Sequence, residues 1–132
     1  MIVDTSALFA IMAHQPERAE YLAAIQAAPS VQISAASYVE LGVVIDARRD
    51  PLDTNALDDL LRALRVEVAP VTAEQATVAR AAYRDFGRGS GHPARLNFGD
   101  CFSYALARVS GEPLLFKGDD FVHTDVLPAV GA

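Results

Sequence analysis

A single cysteine, no apolar run approaching ~18 residues and no zinc-like spacing of His and Cys are what the 132 residues show by omission. With Cys101 alone no internal disulfide can form, so the expectation is a cytoplasmic protein in which Cys101 is a small buried side chain. The missing long apolar run argues against a membrane span. No basic segment leads into a cleavable apolar one after Met1, so no secretory signal is expected. The G-x-S-x-G and G-x-x-x-x-G-K spacings are absent, which removes the nucleophile elbow and the phosphate-binding loop. His14, His92 and His123 sit in polar stretches and read as solvated loop residues.

Positive charge is also scarce. The formal net charge of −6 speaks against a broad electrostatic surface for nucleic acid or anionic lipid. It leaves room for a nucleic-acid enzyme, because a carboxylate cluster contributes to the deficit while basic residues can gather locally. Arg80, Arg84, Arg88 and Arg95 do gather, with Asp85 as the sole acid among them and His92 in addition.

The 52% apolar fraction with 21% charged residues is that of a globular chain, and the length suits one domain, residues 1–132. Met1–Val3 reads as a short buried strand, 31–34 and 66–71 as further strands, and Pro113–Phe116 as a last one. Between them, helical spacing runs through 5–13, from Pro16 to about Ala28, and from a cap at Ser34 or Ser37 to Arg48–Pro51. It resumes around Leu57, Leu60, Leu61 and Leu64, from Thr72 to Phe86, and from Asn97 to Gly111. Thr72–Gln75 has capping-box spacing, and Gly87–Pro93 is a loop by composition. Strands alternating with helices imply an α/β fold: a three-layer α/β/α sandwich around a mostly parallel sheet of four to five strands.

In such a sheet, ligands bind where the strands end at their carboxyl edge. Asp4 ends the first strand and the Asp119–Asp120 pair follows the last. Asp100 opens a helix that starts at the same edge, and Glu40 lies about 8 Å into another, with a side chain that leans back toward the helix start. Taken singly, Asp4 and Asp100 are ordinary helix-start acids and Asp119–Asp120 ordinary turn residues. Glu40 is different, because an acid in so apolar a helix needs a partner. Acids brought together raise one another's pKa unless a cation compensates, and an all-oxygen donor set favours Mg²⁺ or Mn²⁺ over Zn²⁺. A signalling receiver domain would also place aspartates at a sheet edge. It needs paired acids after the first strand and an aspartate after the third, and neither is present.

Four stretches carry a family resemblance: Val3–Ala7; Ser37–Glu40; Asn97–Ala105, read Asn-Phe-Gly-Asp-Cys-Phe-Ser-Tyr-Ala; and Leu114–Phe121, read Leu-Leu-Phe-Lys-Gly-Asp-Asp-Phe. On these the chain resembles the PIN-domain ribonucleases of the VapC toxin type over essentially its whole length. The resemblance implies the toxin of a type II toxin–antitoxin pair, a Mg²⁺-dependent endoribonuclease for which Mn²⁺ can substitute. Its implied partners are RNA, a second copy of itself, and a cognate VapB-like antitoxin with which it forms a heterotetramer or larger assembly; no membrane is involved. Asp4 and Asp100 match the metal-binding aspartates and Glu40 the third acid. Asp119 or Asp120 matches the fourth, with Asp120 preferred. Thr5 or Ser6 matches a hydroxyl position that arranges the first aspartate or the phosphate. Cleavage by metal-activated water would leave a 5′-phosphate and a 3′-hydroxyl. From the local basic cluster, Arg84 and Arg88, with His92 and Arg95, are candidates for the RNA backbone; Arg48, Arg49 and Lys117 stand behind them.

Overall fold

Alternation within two-residue strands sets up two cores. The structure, a computed structural model, describes residues 1–131. Four parallel strands, β1 (Ile2–Val3), β2 (Val31–Ser34), β3 (Val66–Ala69) and β4 (Leu114–Leu115), form one sheet in the order β3-β2-β1-β4. Ile2 pairs with Leu114 and Val3 with Leu115, so successive side chains leave opposite faces in register. Ile2 and Leu114 join one core, with Ala79, Ala82, Tyr104, Ala105 and Leu106. Val3 and Leu115 join the other, with Leu8, Ile11, Ile25, Leu41, Ile45 and Leu57. Being buried on both faces, these strands read as unbroken apolar runs, as parallel strands do.

The helices divide accordingly. On one face lie α1 (Thr5–Met12), α2 (Arg18–Ala27), α3 (Ala35–Asp46) and α4 (Pro51–Ala63). On the other lie α5 (Ala73–Phe86) and α6 (Asp100–Ser110). The three-layer sandwich is as expected, with four strands. Details differ for local reasons. Pro16 precedes α2 rather than opening it. Pro51 does not close the third helix but is the first residue of α4, where its missing N–H costs nothing and Asp50 caps Leu52 N. The third strand stops at Ala69 because Pro70 follows. Thr72 Oγ1 accepts from Gln75 N, but the Gln75 amide turns to Pro70 O, so only half the capping box forms. Tyr83, expected on the buried face of α5, is exposed. His92 is half-buried, its ring edge-on to Phe86 at 4.9 Å, rather than solvated.

A carboxylate-lined cleft at the sheet's carboxyl edge

The chain runs outward from β1 through β2 to β3, then returns so that β4 pairs on β1's free side. The order reverses between β1 and β4, and adjacent connections leaving in opposite directions open a crevice there. Asp4 follows β1 directly and Asp120 follows β4 after a short turn. Both line a cleft of about 520 Å³, together with Glu40 of α3 and Asp100 of α6. Four separate places in the chain thus supply four carboxylates to one depression. Asp119 is not among the lining residues.

Asp4 is buried and does two jobs. Its Oδ2 caps α1, accepting from Ser6 N at 2.9 Å and from Ser6 Oγ at 2.6 Å. Its Oδ1 accepts from Ser103 Oγ at 2.5 Å. Ser6 Oγ in turn accepts from Lys117 N at 3.0 Å, tying the end of β4 to the start of α1. Thr5 Oγ1 donates to Ser37 O at 3.1 Å and ties α1 to α3. Thr5 and Ser6 both line the cleft, so the two hydroxyls stitch its walls together.

At the opposite wall, Asn97 N donates to Asp100 Oδ2 at 2.9 Å and Asp100 N donates to Asn97 Oδ1 at 2.8 Å. This reciprocal pair fastens the acid to the start of α6. Burial pushes the Asp100 carboxyl up to about 7; the Asn97 hydrogen bond opposes this, and the charges of Asp4, Asp120 and Glu40 add to the rise. Glu40, half-buried, lies against Gly99, where any side chain would overlap its Oε2. None of the four acids forms an ion pair among the described residues.

That donor set, all carboxylate with neither His nor Cys lining the cleft, suits a hard divalent cation. Asp100 is the acid that such a cation would help most, because burial and three neighbouring charges hold its proton on. Among the described residues no three acids stand close enough together to grip an ion as they are. Asp4 and Asp100 are instead turned onto hydroxyl and amide donors, the arrangement that uncompensated carboxylates adopt.

Arg84 and Arg88 are not brought to the cleft. Arg84 is exposed on α5 and its guanidinium binds Asp85 at 2.9 and 3.1 Å. Arg88 begins the following loop, anchored through its backbone to Leu96 O. Lys117 does line the cleft, with its Nζ held by Gln15 at 2.7 Å and Glu17 at 3.1 Å. Gly99 and Ser103 lie in the stretch that carries the family resemblance, but sequence reasoning gave neither of them a role. Ser103 stands one turn beyond Asp100 in a helix that the fold buries from Cys101 to Ala107 except at Phe102. Cys101 is buried in that helix, and burial pushes its thiol up to about 11, which leaves it unreactive.

A fold with this switch point and this edge of acids defines a class, and the comparisons agree with it. The model of the PIN domain family matches residues 1–127. Ribonuclease VapC28 of Mycobacterium tuberculosis is 56% identical over 130 residues, covering 98% of each chain. Ribonuclease VapC42 of the same species is 52% identical over 129 residues, again covering 98% of each. Among solved structures, the sarcin–ricin-loop-cleaving toxin VapC20 of M. tuberculosis superposes with a TM-score of 0.71 at 23% identity, covering 96% of this chain and 95% of that one. One chain of a toxin–antitoxin complex from Klebsiella pneumoniae gives 0.72 at 17% identity, covering 99% and 95%. The chain belongs to the PIN-domain family, in its VapC branch.

Proposed function

We propose that this protein is an endoribonuclease that depends on a divalent cation, Mg²⁺ or Mn²⁺, and acts in the cytoplasm as the toxin of a toxin–antitoxin pair. The observation that carries the reading is the convergence of Asp4, Glu40, Asp100 and Asp120 on one cleft, with the Asp100 carboxyl pushed up to about 7. VapC relatives more than half identical over nearly the whole chain, named as ribonucleases, support the substrate class. The K. pneumoniae neighbour, taken from a complex with an antitoxin, supports the partner.

Asp4 and Asp100 would hold the cation, with Glu40 and Asp120 completing its surroundings; Asp120 is the better fourth acid because it lines the cleft and Asp119 does not. A bound cation supplies charge neutralisation for the scissile phosphate and favours ionisation of the attacking water. The chain's own groups do the rest. Asp4, clamped by Ser6 and Ser103, presents a fixed carboxylate. Asp120, the exposed one of the four, and Glu40, which accepts no hydrogen bond among the described residues, are free to orient water or take its proton. Thr5 and Ser6 keep the wall in place, and Arg84 and Arg88 would meet RNA backbone outside the cleft. Exposed Val39, Val43, Leu52 and Phe98 supply apolar contact surface for a second copy and an antitoxin.

The purified chain should cleave single-stranded RNA with Mg²⁺ or Mn²⁺, leaving 5′-phosphate ends, and EDTA should stop it. Asp4→Asn should remove cleavage without unfolding the chain. Equal cleavage by wild type and Asp4→Asn would sink the assignment.

A further inference from the structure

Two buried serines stand behind the acids. Ser103 is wholly buried on α6, one helical turn beyond Asp100, and Ser37, 1% exposed on α3, is one turn before Glu40. Their hydroxyl oxygens are 3.0 Å apart, and Ser103 Oγ is 2.5 Å from Asp4 Oδ1. A hydroxyl has one proton to give, and an ionised carboxylate can only accept. The Ser103 proton therefore goes to Asp4, and Ser37 must donate to Ser103. The donors form a one-way line, Ser37 to Ser103 to Asp4, joining α3, α6 and the end of β1. Ser37 is itself held by the Thr5 hydroxyl on its carbonyl.

This line differs from ordinary core filling. Ser103 is the sole hydrogen-bond partner of Asp4 Oδ1 among the described residues, whereas Oδ2 has two donors, both from Ser6. Without it the carboxylate keeps its helix cap but loses the contact that fixes its rotation. A buried hydroxyl is costly unless paired, so alanine would be the cheaper filler at either position if packing alone mattered.

We propose that Ser103, backed by Ser37, is a positioning residue that fixes the Asp4 carboxylate for cation binding and keeps the acid-bearing helices α3 and α6 at their spacing from it. This rests on the reading of the cleft as a cation site. Hydrogen bonds that orient ligating carboxylates are worth about 10–100-fold in metal affinity or activity.

The test is Mn²⁺ titration of the full chain by calorimetry, with thermal melts to check the fold and RNA cleavage kinetics alongside. Ser103→Ala is expected to stay folded, bind Mn²⁺ about 10-fold more weakly or worse, and lose kcat with KM for RNA little changed. Ser103→Cys, close in size but a poor donor, should behave similarly, and Ser37→Ala should lose less because Ser103 keeps its proton for Asp4. If Ser103→Ala does not fold, the other two variants decide. Mn²⁺ affinities within about twofold of wild type in the folded Ser103 variants, or in Ser103→Cys and Ser37→Ala, would overturn the proposal even if melting temperatures fell. Equal Mn²⁺ binding by wild type and Asp4→Asn is a different result, and it would overturn the cation reading itself.

Discussion

Gly99 has ordinary helical angles, φ −64° and ψ −39°, so its bare Cα serves space rather than conformation. A Cβ there would overlap the Glu40 carboxylate, the movable end of a flexible side chain. Gly99→Ala should therefore fold, with a melting temperature within a few degrees of wild type, since its backbone angles suit alanine and the overlapping atoms can move aside. Cleavage should fall by on the order of 10²-fold as Glu40 is pushed aside. A melt and an RNA cleavage assay on the same sample check both halves, and full activity would mean that the position of Glu40 is unimportant.

Asp100 gives a pH signature. Its carboxyl is pushed up to about 7 in the folded chain, against about 3.9 when unfolded. Between those values the folded state holds a proton that the unfolded state releases. The stabilisation is complete below the unfolded value and is lost as pH rises through the folded one. Without divalent cations, wild type should lose melting temperature relative to Asp100→Asn as pH rises from about 4 to about 8. A flat difference across that range would contradict the burial described for Asp100.

At the level of elements, the fold separates support from chemistry. Helix α5 packs on α6 yet contributes no residue to the cleft. Thr72→Ala, which removes its N-cap bond to Gln75, should cost about 1 kcal/mol in denaturant melts while cleavage below the transition stays at wild-type rates. The starts of α1, α3 and α5 were legible because Asp4, Ser34 and Thr72 are standard capping types that accept from the first turn, whereas Asp50, which caps α4, read as the end of the third helix. The stops were less so. His14, Arg49 and Arg65 follow α1, α3 and α4 with φ near +54°, in a left-handed conformation that glycine usually signals. Gly111, at φ 69° after α6, announced its stop as a left-handed glycine, and Pro29 and Gly87 marked the ends of α2 and α5.

For the molecule as a whole, the strand order decides where chemistry can happen, because the direction in which successive strands are added reverses only between β1 and β4. If a cation closes that edge, Mg²⁺ or Mn²⁺ should raise the melting temperature of wild type and leave Asp4→Asn unmoved, since a ligand stabilises only the state that binds it. Thermal melts with and without cation read this directly. RNA held partly through Arg84 and Arg88 should bind more weakly, with a flatter salt dependence, when both are alanine. Unchanged binding would make them a solvated face, as the Arg84–Asp85 pairing already partly suggests.

The residues alone determined the layering and the acids. Ile2–Val3 and Leu114–Leu115, short unbroken apolar runs, read as strands buried on both faces of a parallel sheet, and that topology brings strand-end carboxylates to one edge. Tertiary structure decided which of two adjacent aspartates lines the cleft, that Gly99 makes room for Glu40, and that Ser37 and Ser103 meet behind Asp4. Burial periodicity is local and can be read from neighbours in the chain. A hydrogen bond between Asp4 and Ser103, 99 residues apart, leaves no local trace, because a helical serine looks the same in sequence whether it faces water or a buried carboxylate.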